Sequence, residues 1–150
     1  MPSRIIFNGL NELRGALRNL PVDLRDDAQA IVSSHAAAAA TKIRDAYPIG
    51  PSRFFKKLNY RYPGGELKKG VVVEGLDNSA FGTRVVVKSK AKHAWLFENG
   101  SSLRKTAAGV PRGHMPAGKV MIPIVIRERR AMLDDFVALL ERAGMTVRRG

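Results

Sequence analysis

Apolar residues recur at spacings of three and four positions in three stretches of this 150-residue chain, and this period predicts three amphipathic helices. The first helix is expected over residues 9–19, with Asn8 as its cap and Pro21 beyond its end. The second is expected from about residue 22 to residue 46, because the residue before Pro48 is pushed out of the helical region. The third is expected from residue 123 or 124 to residue 143, followed by Gly144 as a C-cap. Its expected apolar stripe consists of Ile122, Val125, Ile126, Met132, Leu133, Phe136, Val137 and Leu140.

Two further stretches alternate apolar and polar residues with a period of two, which predicts β-strands. They cover residues 67–74 and 81–88 and are joined by turn residues, so we expect a β-hairpin. Residues 5–7 are expected to form either a short strand or a tether, and residues 145–148 are expected to add an edge strand. This arrangement indicates an α+β fold in which a small antiparallel sheet is packed by two long helices. The length fits a single domain over residues 1–150.

Two long loops separate these elements and carry most of the net charge of +13. Residues 48–70 contain six basic residues and one acidic residue, and residues 101–119 contain four basic residues and no acidic one. Long loops inside a compact domain are uncommon and usually functional. We therefore interpret the segments at about 48–66 and 101–119 as extended basic arms that meet an acidic surface or phosphates.

The 101–119 segment holds few apolar side chains, too few to offset the entropy lost when its backbone is ordered. We predict that this segment is mobile in a free subunit and becomes ordered against a partner. Its candidate contact residues are Arg104, Lys105, Arg112 and Met115.

Aromatic and basic residues interleave in the 48–66 segment, as they do on surfaces that hold single-stranded nucleic acid. The alternative is that the aromatic residues anchor this loop on its own domain or on a neighbouring subunit. Both interpretations stay open at this point. The candidate interface residues of the segment are Phe54, Phe55, Lys56, Lys57, Tyr60 and Arg61.

A short apolar element over residues 91–97 leads into the 101–119 segment. It contains Trp95, the sole tryptophan, which we expect either in the core or at a subunit interface, where tryptophan is enriched. Glu98 follows directly. Because Arg104 and Lys105 lie close in sequence, we expect Glu98 to form a structural or intersubunit ion pair.

The remaining chemistry favours a protein that is not an enzyme. The chain has no cysteine, and no ligand-like spacing links its three histidines, so we predict no metal site. We find neither paired carboxylates in an apolar setting nor a phosphate-binding glycine pattern, and we predict no catalytic residues and no cofactor. The lack of a long apolar run leads us to expect a soluble intracellular protein without a membrane partner.

An ordered set of short motifs resembles the putative tail-component family of long-tailed bacteriophages, which includes relatives of the lambda tail-completion protein. The set spans nearly the whole chain and contains one departure, Gly100-Ser101 in place of the family's Gly-Thr. The matching motifs are Gly9-Leu10-Asn11-Glu12-Leu13, the Ala-rich helix from Ala36 to Pro48, Gly65-Glu66-Leu67, Lys92-His93-Ala94 with Glu98-Asn99-Gly100, and Met115-Pro116-Ala117 with Pro123.

The resemblance implies a structural virion protein, made in the bacterial host cytoplasm, that completes the tail and allows head–tail joining. It implies a homo-oligomeric ring, most simply a hexamer, whose partners are neighbouring neck and tail-tube proteins and which lies near packaged DNA. The alternatives are a tail-terminator or head-closure ring and, in another class, a non-specific nucleic-acid-binding protein. A small enzyme with an unrecognised site is a third alternative.

Overall fold

A computed structural model describes residues 4–7, 22–50, 52–62, 64–79 and 82–149 of the chain. The described part contains four α-helices and six β-strands and belongs to the α+β class, as the sequence predicts. The helices are α1 (Val22–Ala46), α2 (Glu66–Gly70), α3 (Ala94–Asn99) and α4 (Met121–Arg142). The strands are β1 (Arg4–Phe7), β2 (Arg53–Phe55), β3 (Tyr60–Tyr62), β4 (Val71–Ser79), β5 (Gly82–Ser89) and β6 (Thr146–Arg149).

The strands pair as three two-stranded sheets within the described residues. β4 pairs with β5, and two residues separate the strands, which is enough for a hairpin and too few for a parallel crossover. β2 and β3 are antiparallel, with Phe54 opposite Arg61. β1 and β6 are parallel, with Ile5 opposite Val147, so the predicted strands near the two ends of the sequence pair with each other.

The two long helices follow the predicted periodicity closely. α1 has the predicted bounds, and its run of alanines favours helix intrinsically. α4 begins at Met121, two residues before its predicted start, because Pro123 lies in the first turn, where its missing N–H is not needed. It ends at Arg142, one residue before the predicted end, and the predicted C-cap Gly144 has a φ of +80°, while the Met145 N–H donates to the Leu140 carbonyl at 3.0 Å. The predicted helix over residues 9–19 lies outside the described residues.

Two of the predicted elements differ from the structure. A strand was predicted to begin at Leu67, but Leu67 lies in the helix α2, and the strand β4 starts only at Val71. Leu67 and Val71 are both buried, and their separation of four also fits a helical turn, so periodicity alone did not distinguish the two. The segment expected to be an irregular loop over residues 48–65 contains β2, a 3₁₀ turn at Lys56–Leu58 and β3, which are too short to show a period.

The residues form two compact units, and we describe each by itself. The terminal unit comprises Met1–Ala38, Glu74–Val86 and Arg127–Gly150, and the arm unit comprises Ala39–Val73 and Val87–Ile126. The single domain expected over residues 1–150 stays a prediction.

The core of the terminal unit is formed by α1 and α4. Phe136, Val137 and Leu140 are buried there, and Met145 and Val147, beyond the end of α4, pack against them. Four residues of α1 complete the cluster: Leu24, Ala28, Ile31 and Val32. Met132, Leu133, Phe136, Val137 and Leu140 all lie in this cluster, which confirms this part of the stripe predicted for α4.

The core of the arm unit gathers residues from all four helices and the β4–β5 hairpin. Its buried members are Ala40, Ile43, Tyr47, Leu67, Val71 and Ala94. Met121, Ile124 and Val125 of α4 pack against them. The prediction that Ile122 and Ile126 belong to a buried apolar stripe is wrong, because they are 66% and 45% exposed. They share a side of α4 with the buried Val137 and Leu140, so the apolar period alone does not show where along the helix that side is covered.

Candidate assembly interface

The 101–119 segment begins at the end of α3, where the backbone makes a sharp change of direction. The Gly100 N–H donates to the Leu96 carbonyl at 2.8 Å and ends the helix. Gly100 then adopts a φ of +77° and a ψ of −177°. A Cβ at this position would lie 2.7 Å from the Met115 carbonyl oxygen, so only glycine permits the returning chain to pass this close.

The segment forms a backbone ribbon that folds back on itself, and we call residues 101–115 the arm. The Ser101 N–H donates to the Met115 carbonyl at 2.9 Å, and the Arg104 N–H donates to the Gly113 carbonyl at 3.0 Å. Near the tip, the Thr106 N–H donates to the Val110 carbonyl at 2.9 Å. The small number of apolar side chains led us to expect an arm without structure of its own. The backbone hydrogen bonds of this ribbon give it a regular structure. Its mobility in a free subunit stays a prediction.

Glu98 closes the base of the arm by capping the helix that follows it. Its Oε2 accepts the Val120 N–H at 2.9 Å, and both carboxylate oxygens accept the Met121 N–H at 3.2 Å. The first N–H groups of a helix lack partners within the helix, and an anion is stabilised there by the helix dipole. Glu98 therefore fixes the start of α4 against the end of α3.

Tyr47 supplies the remaining contact to this carboxylate. Its hydroxyl donates to Glu98 Oε1 at 2.8 Å, and its ring meets the ring of Phe97 edge to face with centroids 5.4 Å apart. Burial and the adjacent carboxylate together raise the pKa of Tyr47, which stays protonated and able to donate. Among the described residues of this chain, no ion pair joins Glu98 to Arg104 or Lys105, and the carboxylate instead accepts from Tyr47 and the start of α4. The intersubunit ion pair stays a prediction.

The last residues before α4 bring the chain back to α3. The Gly118 N–H donates to the Phe97 carbonyl at 2.7 Å, and the Lys119 N–H donates to the Glu98 carbonyl at 3.3 Å. A Cβ on Gly118 would lie 2.5 Å from the Phe97 ring. Both ends of the arm are thus held on one short helix.

The outward-facing surface of this unit is apolar as well as basic. Trp95 is 69% exposed and lies outside both cores, while Leu103 on the arm is 72% exposed. Single exposed apolar residues are ordinary, whereas a contiguous patch of them marks a contact surface. All the large apolar side chains found exposed in the described residues belong to the arm unit, namely Ile49, Val73, Trp95, Leu96, Leu103, Val110, Ile122 and Ile126.

The candidate interface residues fall into two groups. Trp95, Glu98, Arg104, Lys105, Arg112 and Met115 belong to α3 or the arm, where Glu98 and Met115 lie at the base and the three cations are exposed. The second group lies on the β2–β3 ribbon: Phe54, Phe55, Lys56, Lys57, Tyr60 and Arg61. Lys56, Lys57 and Arg61 are exposed there. None of the hydrogen bonds or ion pairs of the described residues joins the two groups.

Sequence reasoning missed several residues that position the arm. Tyr47 entered the sequence analysis only as the residue before Pro48. An aromatic residue at the end of an amphipathic helix is a signal that could have indicated its contact with Glu98 and Phe97. Gly118 gave no signal, since its role depends on the nearness of Phe97.

A histidine between two carboxylates was also missed in the terminal unit. His35 Nε2 lies 2.8 Å from Asp135 Oδ2, and His35 Nδ1 lies 3.2 Å from Glu128 Oε2. The hydrogen bond to Asp135, supported by Glu128 and opposed by burial, raises the pKa of His35. No pattern in the sequence indicates this contact, because its two residues lie 100 positions apart.

None of the described helices is both long and apolar enough to span a membrane. No protein-family model, curated protein or solved structure matches the chain. The resemblance to the phage tail-component family therefore stays a prediction.

Proposed function

We propose that this protein is a non-enzymatic structural component of a bacteriophage neck, which completes the tail and enables head–tail joining as part of a ring. The observation that carries the proposal is the arm, a hydrogen-bonded ribbon fixed at its base while its outer side chains remain exposed. Leu103 and Val110, on its two strands, are 72% and 57% exposed. An ordered projection with uncovered apolar groups is suited to inserting between neighbouring subunits.

The base of the arm supports the same conclusion. Glu98, Gly100 and Gly118 all serve to place the arm. Chemistry at this site would need a nucleophile or a general base with an open neighbour. Glu98 instead has both oxygens occupied by the Tyr47 hydroxyl and the N–H groups of Val120 and Met121.

The exposed apolar residues also favour a head-to-tail arrangement of identical copies. The arm of one copy would cover an apolar surface of the next, and a contact of this kind forms a ring when its rotation closes. The resemblance to the phage family suggests a hexamer. Neighbouring neck and tail-tube proteins would contact the two faces of the ring.

The experiment that tests this function is removal of the gene from the phage that carries it. We expect DNA-filled heads and assembled tails that remain separate, or tails with abnormal upper ends, in electron micrographs. Restoring the intact gene from a plasmid is the control. Normal infectious particles without the gene would contradict the proposal, and tails of irregular length would indicate a tail terminator instead.

A further inference from the structure

The charge of the chain is divided unevenly between its two compact units. The arm unit contains fifteen Lys or Arg residues and three Asp or Glu residues, for a net charge of +12. The terminal unit contains eleven basic and ten acidic residues, for a net charge of +1. Nearly all the excess charge therefore belongs to one unit, which must carry a strong positive potential.

The kind of basic residue is divided as well. All ten lysines of the chain lie in the arm unit, whereas all eleven basic residues of the terminal unit are arginines. Contacts between proteins favour arginine and are depleted in lysine. Lysine acts as a compact point charge and is a common ligand of phosphate. The lysine-rich composition thus favours a phosphate polymer over an acidic protein surface.

Most of these cations are not neutralised within the chain. Nine exposed cations of the arm unit make no ion pair in the part that the structure describes. Three lie on the β2–β3 ribbon (Lys56, Lys57 and Arg61), three lie on the arm (Arg104, Lys105 and Arg112), and the others lie on α2 and just before α3 and α4. Of the three acids of this unit, Glu98 is occupied by the α4 cap and Asp45 lies 3.7 Å from Lys68.

We infer that the arm unit binds the phosphate backbone of nucleic acid without regard to base sequence. This inference stands independently of the neck proposal, since it rests on charge and not on the exposed apolar residues. Phosphate contacts position a protein on a duplex but carry no sequence information. Their free energy comes largely from released counterions, so binding must weaken steeply as salt rises.

The test is fluorescence anisotropy of the full-length protein with two 30-base-pair duplexes of unrelated sequence, titrated across salt concentrations. We expect a Kd of about 1–100 µM for both duplexes near physiological salt. We also expect the binding constant to fall by at least about 3 log units for each tenfold rise in salt, which corresponds to about three phosphates. Weaker binding, a flat salt dependence or a strong preference for one duplex would overturn the inference.

Two variants with the same change in net charge show whether the arm unit is responsible. Arg104→Glu with Lys105→Glu reverses two arm cations, and Arg129→Glu with Arg130→Glu reverses two exposed cations of α4 in the terminal unit. We expect the arm variant to bind at least tenfold more weakly with a shallower salt slope, and the α4 variant to change by less than about threefold. An equal loss of DNA affinity in the two variants would overturn the assignment of binding to the arm unit, because net charge alone would then explain it.

The same variants separate this inference from the proposed function. If the arm variant keeps its affinity for DNA but is not incorporated into particles, its cations meet protein and the inference fails while the neck assignment survives. If it loses DNA affinity and still assembles, the inference holds and the arm cations have no part in assembly.

Discussion

At the base of the arm, Gly100 combines a φ of +77° with a ψ of −177°, a region that residues with a side chain hardly populate. Gly109 at the tip has a similar φ of +78°, but a Cβ there would meet nothing within 4 Å. We expect Gly109→Ala to lower the free energy of unfolding by about 1 kcal/mol, from backbone strain alone. Gly100→Ala should lose about 3 kcal/mol or more, since the contact with Met115 adds to that strain. Urea unfolding of both variants measures these losses. Equal losses of unfolding free energy would contradict the close approach of Gly100 to the Met115 carbonyl.

Trp95 and Phe97 are two residues apart on α3 but have opposite environments. Phe97 packs on the core of the arm unit and on Tyr47, whereas Trp95 is 69% exposed. We expect Phe97→Ala to lower the free energy of unfolding by about 3 kcal/mol and Trp95→Ala by less than about 1 kcal/mol. Under the proposed function a partner covers the exposed ring, so we expect Trp95→Ala to be poorly incorporated into particles despite this small loss. If Trp95→Ala lost as much stability as Phe97→Ala, or were incorporated normally, the placement of Trp95 at an interface would be contradicted.

At the scale of elements, His35 links α1 to α4 through Asp135 and Glu128. Because folding raises the pKa of His35, the folded protein holds this proton more tightly than the unfolded chain does. The contribution to stability is therefore fully present below the unfolded pKa of about 6.5 and is lost as pH rises through the folded pKa. We expect His35→Gln to be more destabilising at pH 5.5 than at pH 9.

Chemical unfolding at both pH values measures this effect, with His114→Gln as the control. His114 is exposed on the arm, so its substitution should change stability little at either pH. An equal effect of His35→Gln at the two pH values would show that the imidazole contributes only through packing.

Some elements of the fold could be predicted from the sequence, and others could not. α1 and α4 were predictable because each repeats an apolar period over five or more turns, and their ends carry Pro48 and Gly144. The arm was found as a segment, but its backbone hydrogen bonds were not, because such bonds leave no pattern in the side chains. The role of Glu98 was also beyond the sequence, since its partners Tyr47 and Val120 lie 51 and 22 residues away.

At the scale of the whole molecule, the two compact units differ in composition and, on our account, in task. The terminal unit is nearly neutral, and the described large apolar residues that remain exposed lie outside it. The arm unit holds those residues and the excess positive charge together. We therefore assign subunit contacts to its apolar side chains and phosphate contacts to its cations.

The central claim is that the arm serves assembly and contributes little to the fold, and replacing residues 103–113 with a short Gly-Ser linker tests it most directly. The side chains removed are exposed except for the half-buried Thr106, while Gly100, Ser101 and Met115 at the base remain. A matched variant, Leu103→Ser with Val110→Ser, keeps the ribbon and removes only its exposed apolar groups. The measurement is the melting temperature of each purified variant beside its incorporation into phage particles. We expect both variants to melt within a few degrees of the unaltered protein and to be absent from particles. A large fall in melting temperature, or normal incorporation of the linker variant, would contradict the account.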